Sequence, residues 1–212
     1  MTVTEGRRRN QLVAAVLSVG LGLAGASMIG YAVANQYVAP QPSSAFVDTQ
    51  DLRTAALRAA RPTTIKISAI KVFSPVSSVG LNPDHTIEIP HPGPLYDQPA
   101  WYRYSPTPGE RGPSVIVGHV DSAKGPSVFF SLGALQPGHR IEITRADGTT
   151  AVFAVDYVAS FPKDSFPTRA VYGDIDYSAL RLITCGGSFD KATDNYRNNI
   201  VVFAHLVGSV PA

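Results

Sequence analysis

Arg140-Ile141-Glu142-Ile143-Thr144-Arg145-Ala146-Asp147-Gly148-Thr149-Thr150-Ala151-Val152-Phe153-Ala154-Val155 is the stretch whose reading decides the fold. Asp-Gly between two alternating or β-branched runs is a strong short-range hairpin signal, because both residues tolerate the positive φ of a tight turn. The stretch predicts strands over 140–144 and 150–159 joined at Asp147-Gly148. Working outward, Ile65, Ile67 and Ala69 alternate with Lys66 and Ser68, as in a strand with one buried face. Further short runs at 86–89, 114–118, 180–184 and 200–206 predict strands, separated by turn signals such as Asn82-Pro83-Asp84 and Pro137-Gly138. Phe129, Phe130, Leu132 and Leu135 fit one helical turn near the middle. Seven or more short strands with little helix point to an all-β barrel or sandwich from about residue 62 onward.

Composition narrows the function classes. The chain has 212 residues, with 44% hydrophobic and 16% charged side chains, which excludes a disordered solvating polymer. One cysteine, Cys185, excludes an internal disulfide framework and a zinc site built on several thiolates. The net charge of +2 is unevenly spread: residues 1–61 carry +3 and residues 62–212 carry −1. The folded part therefore has no basic excess suited to a phosphate backbone, and no nucleic-acid partner is expected.

The excess positive charge sits beside an apolar run. Residues 12–34 are dominated by Leu, Val, Ile, Ala and Gly, no charge occurs from 12 to 47, and Arg7, Arg8 and Arg9 stand just before. About 20 apolar residues cross a bilayer core as a helix, and flanking arginines stay on the cytoplasmic side. The expectation is a single-pass cell-membrane protein: cytoplasmic residues 1–11, a transmembrane helix over 12–34, a linker over 35–61 and an extracellular domain over 62–212. A cleaved signal peptide competes, since Ala32-Val33-Ala34 fits a cleavage site, but the run is longer than the usual signal. No cysteine follows the run, which excludes a lipoprotein anchor. Within the linker, 39–44 reads as an extended tether, and 51–61 as a solvated spacer in preference to a short helix.

Three residues at strand ends carry candidate chemistry. Cys185 follows Leu180-Arg181-Leu182-Ile183-Thr184 and precedes Gly186-Gly187, glycines that leave room for a substrate backbone. A free cysteine is more often buried and inert, so alone it reads as core at least as well as nucleophile. His119 ends Val115-Ile116-Val117-Gly118, where an imidazole can accept or donate a proton near neutral pH. A lone histidine there is more often a hydrogen-bonded structural group. Arg197, in Asn195-Tyr196-Arg197-Asn198-Asn199, suits charge stabilisation at a reacting carbonyl, though taken alone it reads more readily as a solvated turn residue. Catalytic groups collect at the ends of elements held by a rigid scaffold, and the three together favour the catalytic reading.

With Val117-Gly118-His119, Leu182-Ile183-Thr184-Cys185 and Tyr196-Arg197 before the last strand, residues 63–207 resemble the sortases, cysteine transpeptidases of Gram-positive cell surfaces. Gly118-His119-Val120-Asp121-Ser122 and Gly125-Pro126-Ser127-Val128-Phe129-Phe130 look most like the actinobacterial class F group. The resemblance implies a closed eight-stranded β-barrel with short helical turns. It implies that Cys185 attacks the threonine carbonyl of an LPXTG-like signal on surface proteins, and that His119 protonates the leaving amine. Arg197 then binds the substrate backbone and oxyanion, with Thr184 beside the same carbonyl. The acyl group passes to an amine of a peptidoglycan precursor or a pilin. No cofactor and no metal are expected. One departure stands out: Arg181 replaces the family's common threonine four residues before the cysteine, and bears on the substrate groove.

Two other functions fit the same residues: a hydrolytic cysteine peptidase on this scaffold, and a non-catalytic tethered β-domain that binds a wall component. The second predicts a buried Cys185 with His119 and Arg197 separated from it, whereas the catalytic reading needs all three side chains to face one open groove. His85, His91, His139 and His205 read as structural or solvated, and Trp101, Tyr102 and Tyr104 as groove cover or barrel packing.

Overall fold

The computed structural model describes residues 37–43 and 54–212, so the expected membrane segment at 12–34 and the middle of the linker lie outside the described residues. The chain divides into two units, Met1–Val38 and Ala39–Ala212. The first contains two described residues, Tyr37 and Val38, and the second holds every strand and helix among the described residues.

The hairpin at Asp147-Gly148 forms as its turn chemistry dictates. Strand β8 (Arg140–Arg145) pairs antiparallel with β9 (Thr149–Pro162), with Ile143 opposite Ala151. The Asp147 carboxylate accepts bonds from the backbone N–H and hydroxyl of Thr149. Strand β1 (Pro62–Ile67) lies on the other side of β8, with Ile65 and Ile67 fully buried. The remaining strands are β2 (Val72–Pro75), β3 (Ser77–Val79), β4 (Ala100–Tyr102), β5 (Gly112–Val117), β10 (Ser178–Asp190) and β11 (Asn195–Pro211), with a small ladder β6 (Asp121–Ser122) and β7 (Gly125–Pro126).

Nine of these strands form one sheet in the order β2-β1-β8-β9-β11-β10-β5-β4-β3. Its two edges, β2 and β3, are consecutive in the chain with one residue, Val76, between them. The sheet thus curls into a nearly closed barrel, nine-stranded where eight closed strands were expected. Counting β2 and β3 as one bent strand gives eight. Helix is sparse: three 3₁₀ turns, at Ser68–Ile70, Leu132–Ala134 and Lys163–Ser165, and the short α1 (Thr168–Tyr172) among the described residues. The run at 86–89 is not a strand. It contributes one bridge, Leu81 to Ile87, because the turn at His85 (φ 65°) brings the chain back on itself and Pro90 ends the pairing.

Two apolar layers decide which way the strand ends face. Ile65, Ile116, Phe129, Leu132, Leu135, Ile141, Phe153, Leu180, Leu182 and Ile200 fill the barrel interior and are fully buried or nearly so. Val115, Val117, Ile183, Val201 and Phe203 face the other way, into a second cluster with Val171 of α1, Phe166 and Tyr172. Strands β5, β10 and β11 are therefore buried on both faces, which is why they read as continuous apolar runs instead of alternating ones. β5 and β10 run parallel, with Val117 opposite Ile183.

The stretch before β1 is tied to the barrel. The backbone N–H of Leu57 donates to the Gly109 carbonyl at 2.8 Å, that of Ala60 to Thr107 Oγ1 at 3.0 Å, and the Arg145 guanidinium bonds the Arg58 carbonyl.

Candidate active site

Residues two apart on a strand share a face. Cys185 therefore projects with Ile183 and Arg181, away from the barrel interior, and is half-buried. The parallel ladder continues past Val117: the Gly118 N–H donates to the Ile183 carbonyl at 3.1 Å, carrying His119 alongside Cys185. Gly118 has to be glycine, because a Cβ there would stand 2.7 Å from the Phe129 ring. On the other flank Asn199 of β11 lies opposite Cys185. Cys185, His119 and Thr184 line one groove of about 590 Å³ with Asn199, Val117 and Ile183 on its floor. Tyr102, Phe166, Tyr172, Ile87 and Ile89 form its apolar walls. The volume is that of an ordinary small-ligand or peptide cleft.

The glycines after Cys185 are also demanded by the fold. A Cβ on Gly186 would collide with Ile200 at 2.6 Å, and Gly187 takes a left-handed φ of 73° at the bulge that interrupts β10–β11 pairing. Only glycine meets both demands without strain.

His119 is held from three sides. Its Nε2 lies 2.8 Å from the Pro90 carbonyl, which can only accept, so Nε2 carries the proton and Nδ1 is left for exchange. The Tyr96 ring stacks on the imidazole at 4.0 Å and 9°, and Tyr96 Oη reaches the Asp121 carbonyl at 3.4 Å. The His119 carbonyl accepts the Phe129 N–H at 3.0 Å. The connection 80–99 thus lies over the imidazole, and a bond between Asp97 and Ser127 at 2.7 Å fastens its far end.

Electrostatics on this side are set by Asp121. Its carboxylate accepts from the Tyr196 hydroxyl, and burial together with that bond keeps the Tyr196 phenol well above its ordinary range. Burial, then Asp121, Asp97 and Cys185, raise the Tyr96 phenol as well. Both phenols are neutral donors at physiological pH. The Cys185 Sγ accepts from Lys163 Nζ at 3.5 Å, and the same ammonium bonds Asn195 Oδ1 at 2.7 Å.

Of the sequence-predicted residues, His119, Cys185 and Thr184 meet in the groove. Thr184 is 3% exposed, and its hydroxyl has no hydrogen-bond partner among the described residues. Arg197 stands apart from the groove lining, exposed and paired with Asp190 at 3.2 Å. The Ala192 N–H, then Arg197, hold the Asp190 carboxyl below its ordinary value. Arg181 does not touch the groove. It is buried with its guanidinium 4.5 Å over the Phe203 ring, so its replacement of threonine bears on packing and not on substrate contacts. Trp101 is barrel packing, with its indole N–H on the Pro106 carbonyl, whereas Tyr102 is groove wall. His205 is a buried partner of Asp156, and His85 lines the groove. Tyr96, Lys163 and Asn199 were not singled out from sequence, since none stands in a local motif. Among the described residues no three His, Cys, Asp or Glu side chains gather as a metal site.

A family model for the sortase domain matches residues 65–207. Solved structures of similar fold include sortase A of Corynebacterium diphtheriae, a lid mutant, at 23% identity, TM-score 0.52, covering 71% of this chain and 73% of that one. The SrtA sortase of Actinomyces oris follows at 17% identity and TM-score 0.52, covering 78% and 91%. Sortase C1 of Streptococcus agalactiae matches at 16% identity and TM-score 0.53, covering 69% and 67%. No curated protein matches the chain. A sortase-domain match across most of the chain, on a barrel whose single cysteine opens into a groove beside a histidine, places the chain in the sortase family of cysteine transpeptidases.

Proposed function

We propose that the protein is a membrane-anchored extracellular transpeptidase of the class F kind. It cleaves an LPXTG-like sorting signal between Thr and Gly through a Cys185 thioester and passes the acyl group to a cell-wall or pilin amine. The observation that carries this reading is the single groove shared by Cys185, His119 and Thr184, with apolar walls suited to the Leu and Pro side chains of such a signal. The sulfur adds to the threonine carbonyl, the C–N bond breaks, and the leaving amine takes a proton from His119. With Nε2–H engaged by Pro90, Nδ1 is the nitrogen that exchanges that proton. Placement on the cell membrane rests on the apolar run 12–34 behind Arg7, Arg8 and Arg9.

Arg197 is the substrate-backbone and oxyanion donor in this reading, and it reaches substrate by leaving Asp190. The exchange is inexpensive, because Arg197 is 67% exposed in that pair and exposed ion pairs are worth roughly 0–1 kcal/mol.

The test uses the full-length protein in detergent micelles with an LPXTG-type peptide and triglycine. Mass spectrometry is expected to find the acyl fragment on Cys185 and a product joined at the threonine carbonyl. Absence of both acylation and Thr–Gly cleavage refutes the reading, and cleavage without transfer to any amine points to a hydrolase. Arg197→Ala is expected to lower turnover about 100-fold or more, the scale of one lost oxyanion donor. Its melting temperature should stay near wild type, since the side chain is exposed. Unfolding of that variant would assign Arg197 a structural role instead.

A further inference from the structure

Strand β9 ends at Pro162 and turns into the 3₁₀ turn Lys163–Ser165. Phe161 of β9 faces Asn199 of β11, and Asn199 faces Cys185 of β10, so these residues form one row across three strands. Lys163, two positions past Phe161, opens that turn. Its side chain reaches across β11 to place Nζ 3.5 Å from Sγ, and the bond to Asn195 Oδ1 at 2.7 Å holds it there. The cation the family motif points to, Arg197, is engaged with Asp190. His119 turns its Nε2–H to the Pro90 carbonyl and away from the sulfur.

We propose that Lys163 is a further catalytic residue, the ammonium that holds the Cys185 sulfur as a thiolate ready to attack the acyl carbonyl. This rests on Cys185 being the nucleophile. The groups facing the sulfur show why a cation is required. From the 80–99 connection comes the Tyr96 phenol, from the end of β5 His119, and from β11 the Tyr196 phenol bound to Asp121. Asp121 and Asp97 bring negative charge to this side and oppose a thiolate, and the two phenols bring none that offsets it. A thiol beside a lysine is more readily ionised, and the attacking species is the thiolate. The thiol proton passes to His119 Nδ1, which later gives it to the leaving amine, the sulfur lone pair forms the C–S bond, and Lys163 stays protonated throughout. When substrate draws Arg197 from Asp190, the two cations divide the work: Lys163 serves the sulfur and Arg197 the oxyanion.

The pH dependence of Cys185 alkylation by iodoacetamide tests this on the full-length protein, with no sorting signal present. Lys163→Met and Lys163→Gln are expected to alkylate about tenfold more slowly at pH 7, with the midpoint of the rate profile raised by about one pH unit. Lys163→Arg should restore most of the wild-type profile. Profiles of the Met and Gln variants that superimpose on wild type overturn the proposal, even where transpeptidation falls. Because alkylation needs no peptide, a wild-type protein whose reaction with iodoacetamide depends on Lys163 as expected, yet which cleaves no sorting signal, refutes the proposed function and with it the catalytic role, while the hold of Lys163 on the sulfur stands.

Discussion

Cys185→Ala is expected to abolish acylation and to lower peptide cleavage by at least about 10⁴-fold, to background. The chain has one cysteine, so no second thiol can substitute. The neighbouring oxygen nucleophile, Thr184 Oγ1, is buried with no base bonded to it among the described residues. An unactivated hydroxyl at its ordinary pKa is a poor nucleophile. The fold should survive, because the sulfur is half-buried and lies outside the barrel interior. Its loss costs about 1 kcal/mol at most, a fall of a few °C in melting temperature. Chromatographic cleavage assays, intact-mass analysis and a thermal melt together check this. Residual cleavage near a tenth of wild type would remove Cys185 from the mechanism, and collapse of the fold would make it a core residue.

The second large effect lies behind the site. Asp156, His205 and Arg181 are each 3–4% exposed in the wall formed by β9, β11 and β10. Asp156 is the residue that the β9 bulge leaves unpaired, between Tyr157 opposite Phe203 and Val155 opposite Ala204. Its carboxylate takes a short hydrogen bond from His205 Nδ1. Burial raises the Asp156 carboxyl, while His205 and then Arg181 pull it down; burial correspondingly lowers the Arg181 guanidinium. Asp156→Ala leaves a buried imidazole and a buried guanidinium without their anion. Removing one partner of a buried ion pair typically costs about 3–5 kcal/mol, because the remaining charge has lost its compensation. The expected fall in melting temperature is roughly 10 °C. Asp156→Asn keeps an acceptor for His205 and should lose about half as much. Urea titration of the two variants separates these outcomes, and a cost under about 1 kcal/mol for Asp156→Ala would show that the cluster is solvated and not structural.

How much of the molecule was legible in its sequence differs from residue to residue. The 140–159 hairpin was legible because alternation and Asp147-Gly148 are local chemistry, acting over a few bonds. His119, Cys185 and Thr184 were legible as strand-end residues in motifs, and the groove brings them together. The run at 86–89 misled because its apolar character suits any buried segment. Whether it becomes a strand depends on a neighbouring edge, and only Leu81 supplies one. The local demand for glycine after Cys185 was not legible, since sequence does not reveal that Ile200 crowds one and a bulge bends the other.

Sequence alone determined the apolar segment behind its arginines, the β-class of residues 62–212, and the identity of its one thiol. Tertiary structure decided what surrounds that thiol. The parallel pairing of β5 with β10 sets His119 beside Cys185, two-sided burial turns the sulfur out of the barrel, and the end of β9 delivers Lys163 across an intervening strand. Arg181, four residues from the sulfur, is drawn instead into a buried charge cluster with the next strands. Propensity and turn chemistry act between near neighbours, whereas register and strand order place residues far apart in the chain within hydrogen-bond reach, and only the assembled sheet specifies them.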